Sequence, residues 1–385
     1  MVKVNCVCTT PERWSGSDSS ALEIRYVDIG GVDRLDRRIA SASTLLAADA
    51  PSRAQWVLNE GDVLVATVRP NLNAVCRIPP EFAGAIGSNG FAALRPNAAL
   101  LDSWYLYFWT RSPSFIDMLV RRATGAAYPA VSLADVESLQ IPLPPLDEQR
   151  RIADILDAAD ALRRKRREAL RLLDELQRAT FLEMFGDPVT NPKGWPVARI
   201  GNVCRVTTGN TPSREVSGNF GDAIEWLKSD NLGHLQPSPT RATEGLSQLG
   251  AAAGRTCPAA TVLVCCIAGS RDSIGKTSLL DRPAAFNQQI NGLEAGPGLE
   301  PAFLYGLLRT GKALVQNQST DGMKGIVTKG RLEDVEIPVP PLTQQEEFSS
   351  AFRRWAATCT DAQQALSTTE TLFAALLDRA FRGEL

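Results

Sequence analysis

The sequence is poor in the residues from which catalytic and metal sites are usually built. His234 is the single histidine of 385 residues, and the eight cysteines include no Cys-x-x-Cys arrangement. Structural zinc is therefore not expected, and with His234 alone, in a Gly-His-Leu loop of the kind that usually lies at the surface, no base is left for a Ser or Cys triad. Cys6/Cys8, Cys265/Cys266 and four single cysteines fit free thiols in a reducing cytoplasm, the expected location. Long apolar runs are also missing: Asp102 interrupts the stretch from Leu100 to Trp109, and Arg255 stands before the run at Val262. Nothing approaches the roughly 18 residues needed to span a bilayer, and Met1 to Asn5 has no signal-peptide core, so no membrane partner is expected. A basic excess is lacking too. With 41 Lys and Arg against 43 Asp and Glu the net charge is −2, which argues against coating nucleic acid non-specifically but leaves specific readout open.

What the sequence does contain is a duplication. Ile141-Pro-Leu-Pro-Pro-Leu146 recurs as Ile337-Pro-Val-Pro-Pro-Leu342, 196 residues later. At that offset Thr124 meets Thr320, Val131 meets Val327, Gln149 meets Gln345, Leu176 meets Leu372 and Phe185 meets Phe381, without a gap. Upstream, Cys6-Val-Cys-Thr-Thr10 resembles Cys204-Arg-Val-Thr-Thr208, and Val63-Leu-Val65 resembles Val262-Leu-Val264. Each copy is a strand-rich segment with frequent Gly, Pro, Asn and Thr, followed by a proline elbow and a helix. The predicted domains are 1–140, the helical region 141–187, a second domain 188–336 and a second helical region 337–385.

The helices are read from their period. Pro144-Pro145 cannot continue a helix, Asp147 offers an N-cap and Glu148 a first-turn acid. A predicted seam then runs through Ile152, Ile155, Ala159, Leu162, Arg166, Ala169, Leu173, Leu176 and Thr180 to about Phe185, where Gly186-Asp-Pro188 stops it. At about 1.5 Å per residue this is a rod of roughly 58 Å. The matching seam is Phe348, Ala351, Trp355, Thr358, Ala362, Ala365, Thr369, Leu372 and Leu376. Two such stripes most simply cover each other, which predicts an α+β fold: two similar domains separated by two long antiparallel helices in a pseudo-twofold dumbbell. The alternative is that each helix packs only on its own domain.

Several motifs mislead. Gly269 to Thr277 resembles a phosphate loop after a strand, but five residues separate Gly269 from Gly275 where a Walker loop has four, and Pro283 leaves no room for its helix. Asn191-Pro-Lys-Gly-Trp195 lacks the aromatic that directly follows the Asn-Pro pair in amino-methyltransferases, and reads as a turn with Trp195 as a buried anchor. The run Arg163 to Arg167 is either a solvated or partner-facing helix face or a phosphate contact. What remains are loops rich in hydrogen-bonding groups at corresponding places. In the first copy the candidate DNA-binding residues are Arg69, Asn71, Asn73, Ser88, Asn89 and Tyr128, in the second Arg271, Lys276, Asn287, Gln288, Gln289 and Lys324. Arg reads guanine and Asn or Gln reads adenine by paired hydrogen bonds in the major groove.

Ile-Pro-Leu-Pro-Pro-Leu-Asp-Glu-Gln-Arg-Arg-Ile (141–152), Phe-Gly-Asp-Pro (185–188), Gly-Trp-Pro (194–196) and Ala285-Phe-Asn-Gln-Gln-Ile290 together resemble the specificity subunit of type I restriction-modification systems over essentially the whole chain. The resemblance implies a non-catalytic subunit. Its two target-recognition domains each read half of a bipartite double-stranded DNA sequence, while its helices set the gap and bind methyltransferase subunits. It also implies no cofactor on this chain, S-adenosylmethionine on the methyltransferase partners, and restriction subunits as a further component. Thr343-Gln344 in place of Asp147-Glu148, the polar Thr358 and Thr369, and Arg166 depart from a strong coiled-coil pattern. A scaffold or regulator outside a restriction system, binding DNA or two proteins, is the alternative reading.

Overall fold

The computed structural model describes residues 1–16, 22–125, 128–216, 218–320 and 324–385. They divide into two compact units, one of residues 1–165 with 367–385 and the other of 166–366. The duplication is reproduced strand by strand. In the first unit a four-stranded sheet has the order Cys8–Thr9, Phe91–Pro96, Val63–Ala66, Val75–Arg77; in the second the order is Cys204–Thr208, Ile290–Ala295, Val262–Cys265, Thr277–Leu279. Beside it lies a second sheet, Ser43–Leu46, Glu23–Val27, Ile86–Ser88, Ala54–Val57, matched by Gly245–Leu246, Phe220–Leu227, Ala284–Phe286, Thr256–Cys257. Each second sheet contains one parallel pair, Tyr26 with Ile86 and Trp226 with Ala285, at the same place in its order.

Period-two alternation explains why the inner strands are buried on both faces. Val63 and Val65 pack into a core with Tyr105, Leu106, Ile152 and Leu156, whereas Leu64 and Ala66 pack with Trp56 and Leu58 between the sheets. In the second unit Val262 and Val264 join Phe303, Leu304, Phe348 and Phe352, and Leu263 turns to Leu227 and Phe286. Burying one such Leu or Val stabilises by about 1.5–3 kcal/mol, so the strand Val262–Cys265 alone ties both layers together.

The long helices are Leu146–Phe185 and Leu342–Arg382. Within the first unit Arg151 Nη2 donates to the Leu385 carbonyl and the Arg163 guanidinium lies over Phe373; within the second, Trp355 Nε1 donates to the Leu173 carbonyl and Phe181 meets Phe348 edge-on. In both units residue numbers rise on one helix as they fall on the other, so the pairing is antiparallel. Two details of the expected helices change. The first helix begins at Leu146, its opening turn closed by the Glu148 and Gln149 amides on the Pro145 carbonyl, so Asp147 lies inside the turn and pairs with Arg150 rather than capping. The buried stripe also has a different phase. Leu162, Ala169, Leu176, Thr358 and Leu372 of the expected seam are exposed, while Leu156, Leu170, Phe181, Phe352, Cys359, Leu366 and Phe373 are buried. The cause is that these helices bury one face into the domain cores as well as against each other, and the domain contact sets the rotation.

The Pro-Pro-Leu-x-x-Gln motif has a structural task that the sequence did not disclose. Gln149, fully buried, donates from Nε2 to the carbonyls of Leu100 (3.0 Å) and Pro144 (2.8 Å) and accepts from the Asp102 amide (2.9 Å). Gln345 does the same with Gly298 (3.1 Å), Pro340 (2.8 Å) and the Glu300 amide (2.9 Å). Asp102 and Glu300 are the N-cap residues of the domain helices Ser103–Trp109 and Pro301–Thr310. Each glutamine therefore latches its long helix to the start of the helix that covers the sheet.

Candidate nucleic-acid interface

In the first unit the candidate loops converge through backbone pairing. Val68 bridges Ala130, the Arg69 amide donates to Pro129 O, and the Arg69 guanidinium sits 4.9 Å from the centre of the Tyr128 ring. Tyr128 is 68% exposed, and Arg69, Asn71 and Asn89 are exposed as well. The Thr67 amide reaches Gly90 O, which brings the Ser88–Gly90 turn beside them. Arg69 and Asn73 both have left-handed backbones, with φ of 51° and 46°. This rare geometry is held by Arg37, whose guanidinium donates to the carbonyls of Leu72 and Asn73. Arg37, itself at φ 55°, is a contributor that the sequence reading missed; no motif surrounds it.

Two candidates of this unit face inward. Asn73 is buried and donates to the Thr110 carbonyl at 2.9 Å, fixing the turn to the domain helix. Ser88 is buried and accepts from the Gly90 amide. As placed they shape the loops, whereas Arg69, Asn71, Asn89 and Tyr128 are presented on them.

The second unit repeats the convergence. Ile267 and Ala268 pair with Ile326 and Gly325, putting exposed Lys324 beside the loop of Arg271, and the Cys266 and Ile267 amides both donate to Gln289 O. Gln288 is exposed and accepts from Thr211 Oγ1 (2.6 Å); Gln289 accepts from Ser229 Oγ (3.3 Å) and from Asn287 Nδ2 (3.0 Å). Asn287 is buried and spends its carbonyl on the Gln289 amide, so it orders the turn on which Gln288 stands. Thr211 and Ser229 were not anticipated, because they lie far from the turn in sequence. Parts of two candidate loops, residues 126–127 and 321–323, lie outside the described residues.

The deceptive motifs resolve as local structure. Thr277–Leu279 after the glycine-rich loop is a strand, not the helix a nucleotide cradle needs. Asn191 closes a turn through its side chain to Trp195, which is half-buried and donates from Nε1 to Phe185 O. In the arginine run, Arg163 and Arg164 both bond Asp160, so that part serves the fold. Burial pushes the thiols of Cys8, Cys76 and Cys266 up to about 12, which keeps them protonated and poor nucleophiles. Among the described residues no helix is long and apolar enough to cross a membrane.

The molecule is thus a duplicated recognition protein, two copies of one domain presenting arginine, amide and aromatic side chains on clustered loops, each latched to a pair of long helices. Residues 51–172 and 192–368 match the family described as the type I restriction modification DNA specificity domain, and the chain belongs to that family. It is 21% identical over 355 residues to the type I restriction enzyme HindI specificity subunit of Haemophilus influenzae, covering 73% of this chain and 76% of the relative. A putative MjaX specificity subunit of Methanocaldococcus jannaschii is 20% identical over 323 residues, covering 78% of this chain and 72% of that one. A chain solved in work on complex assembly and conformational transition of the type I R-M system is 28% identical, covers 100% of this chain and 97% of its own, and has a TM-score of 0.56. The S subunit of the type I system of M. genitalium, 13% identical, shares the fold with a TM-score of 0.60 over 99% of this chain and 95% of its own.

Proposed function

We propose that this chain is the DNA-recognition subunit of a type I restriction-modification complex, with each recognition domain reading one half of a bipartite double-stranded target. The observation that carries this reading is the repeated loop cluster: the same three connections, two after equivalent strands and one after an equivalent helix, carry donors and acceptors suited to base edges in both copies. The long helices set the spacer and dock the methyltransferase subunits, which bring S-adenosylmethionine and the methyl-transfer chemistry; restriction subunits extend the same complex. This chain contributes recognition and no catalysis. The domains are 1–140 and 188–336, with helical regions 141–187 and 337–385. Family membership favours this over a scaffold outside a restriction system.

The docking reading is supported by an apolar groove of about 400 Å³ in the second unit, lined by Leu173, Leu176, Phe348, Ala351, Phe352 and Trp355. Leu162, Leu172 and Leu372 add exposed apolar surface on the helices. Leu176→Glu with Leu372→Glu is expected to abolish co-purification with methyltransferase subunits while shifting stability by no more than about 0.5 kcal/mol per site, as for other surface changes. The recognition reading is tested by exchanging residues 1–140 for a relative's domain and mapping methylated sites. One half of the motif is expected to change; simultaneous change of both halves, or methyl transfer by this chain alone, overturns the reading.

A further inference from the structure

The second unit holds a polar cleft at a position where the first unit has the core residue Phe373. It measures about 250 Å³ and is walled by the first long helix, the domain helix ending at Thr310, and the segment from Asp272 to Thr277. Its walls carry four cations, Arg178, Lys276, Arg309 and Lys312, against two carboxylates, Asp174 and Asp272. Arg309 is paired with Asp174 and Lys312 with Asp272; among the described residues Arg178 and Lys276 make no ion pair, Lys276 acting on Asp272 only at longer range.

The neutral lining is as telling as the charged one. Gln177, only 4% exposed, has no hydrogen-bond partner for either amide atom among the described residues, nor has the buried Thr310 hydroxyl. Leaving such groups unsatisfied is costly, by an amount comparable to a lost hydrogen bond for each. The duplicate unit shows that the fold does not require them. By the 196-residue offset Gln177 and Arg178 correspond to Phe373 and Ala374; at the 198-residue offset of the domain helices Thr310 corresponds to Ser112, whose hydroxyl is satisfied by Trp109 O (2.8 Å). Lys276 corresponds to Ala74, since the Cys265 amide donates to Lys276 O as the Ala66 amide does to Ala74 O. Lys312 corresponds to Ser114. One copy thus fills the position with an aromatic core, and the other with donors and positive charge.

We propose that this cleft is a seat for a single phosphate group. Arg178 and Lys276 supply the charge, and Gln177 Nε2 and the Thr310 hydroxyl the neutral donors, a combination suited to a tetrahedral oxyanion. The seat adjoins the candidate recognition loop: Lys312 Nζ reaches Asp272, and Gln316 Nε2 donates to Arg271 O at 3.0 Å. The source that this continuity favours is a phosphate of the DNA backbone, held while Arg271 and its neighbours face the bases. Gly233, at φ +77°, lets the chain pass so close to Lys276 that a Cβ there would meet its Cγ at 2.9 Å, which fixes the lysine stem at the cleft. In this form the proposal rests on the DNA-recognition reading above.

The test uses the full chain assembled with methyltransferase subunits and measures DNA affinity against salt. Each lost phosphate contact lowers the slope of log K against log salt by about 0.9, equivalent to about a 3-fold smaller loss of affinity between about 50 and 200 mM. Lys276→Ala, Arg178→Ala and Gln177→Phe are each expected to weaken matched and half-site-mutated DNA by the same factor, the first two also flattening the slope. A neutral methylphosphonate at one backbone position should reproduce the loss in wild-type protein and add nothing in Lys276→Ala. A second arm titrates inorganic phosphate into the full chain without DNA, followed by ³¹P line broadening. Phosphate binding that Lys276→Ala abolishes, with unchanged DNA slopes, assigns the seat to free phosphate. Unchanged slopes in all three variants together with no phosphate binding overturn the proposal. A wild-type complex with no sequence preference at all instead overturns the recognition reading, whatever the variants do.

Discussion

The two units place the same arginine in opposite circumstances. Tyr107 and Arg111 of the first unit recur 198 residues later as Tyr305 and Arg309 of the second. Arg111 makes a two-pronged pair with Asp160, at 2.8 and 3.1 Å, and both side chains are at most 5% exposed. Phe373 closes the arrangement, its ring 4.9 Å from the Arg111 guanidinium and 4.3 Å from that of Arg163. Arg309 instead bonds Asp174, whose side chain is 34% exposed, and Gln177 stands where the aromatic stood. Asp160 and Asp174 are not equivalent positions: they correspond to Ala356 and Glu370 of the other copy. Duplication preserved the cation and its tyrosine but not the acid, so one copy became a closed core and the other an open polar cleft. A domain pair that must read two different half-sites can diverge in this way without touching its topology.

The largest effect that would break this comparison is at Asp160. Removing it by Asp160→Ala leaves Arg111 charged, buried and unpaired, which is expected to cost about 3–5 kcal/mol in urea-induced unfolding. Burial works to raise the Asp160 carboxyl, but hydrogen bonding and charge from Arg111, with Arg164 and Arg163, outweigh it and hold it below the ordinary carboxylate range. A folded-state value below the unfolded one, about 3.9, means that the stabilisation is present above that pH and is lost as pH falls through the folded value. The stability gap between wild type and Asp160→Asn should therefore be full near neutrality and narrow progressively below about pH 4.

Reciprocal exchange of the facing residues comes next. Phe373→Gln removes an aromatic stacked on two guanidinium groups and buries an amide without a partner, at an expected cost of about 3 kcal/mol. Gln177→Phe removes an orphaned amide and is expected to be neutral or stabilising. Equal destabilisation by both exchanges would show that the two environments are not distinct. Smaller, and deliberately symmetric, are Gln149→Ala and Gln345→Ala. Each orphans one buried amide and two carbonyls, for about 2 kcal/mol apiece, and a several-fold difference between them would show that the latches do not share one role.

Much of this was legible in the sequence because the duplication is in register: the repeated proline elbow located both helices, and the strand pattern at Val63 and Val262 located both sheets. The helix rotation was not legible. Ile152 and Leu173 satisfy a coiled-coil repeat and so do Leu162 and Leu176, and only the domain core, built from residues as distant as Tyr105 and Phe303, selects which stripe is buried. Among the candidate site residues, composition identified the loops but not the direction of each side chain. Asn71 and Asn73 look alike in sequence, and the left-handed turn held by Arg37 sends one outward and the other onto Thr110. Gln177 was legible as the polar counterpart of Phe373, one residue after the matched pair Leu176 and Leu372.

The smallest expected effect is at Asp174, and it separates structural from electrostatic roles most cleanly. Its pair with Arg309 is partly exposed, with the side chains 34% and 17% accessible, so the Coulombic gain is partly screened and its net worth is about 1 kcal/mol. Burial opposes the charge on Arg309, yet Tyr305 and Asp174 keep its pKa raised, so Arg309 stays charged. Asp174→Ala therefore changes the cleft from four cations against two carboxylates to four against one while barely changing stability. If the cleft takes phosphate, affinity for DNA should rise and its dependence on salt should steepen, opposite in sign to Lys276→Ala. The same substitution logic applied to Asp160 in the first unit predicts the reverse ranking, a large loss of stability with no steepening. Measuring unfolding and salt slope for both aspartate variants thus gives four values, and a loss of stability for Asp174→Ala as large as that for Asp160→Ala would mean that the second arginine is as closed a core element as the first.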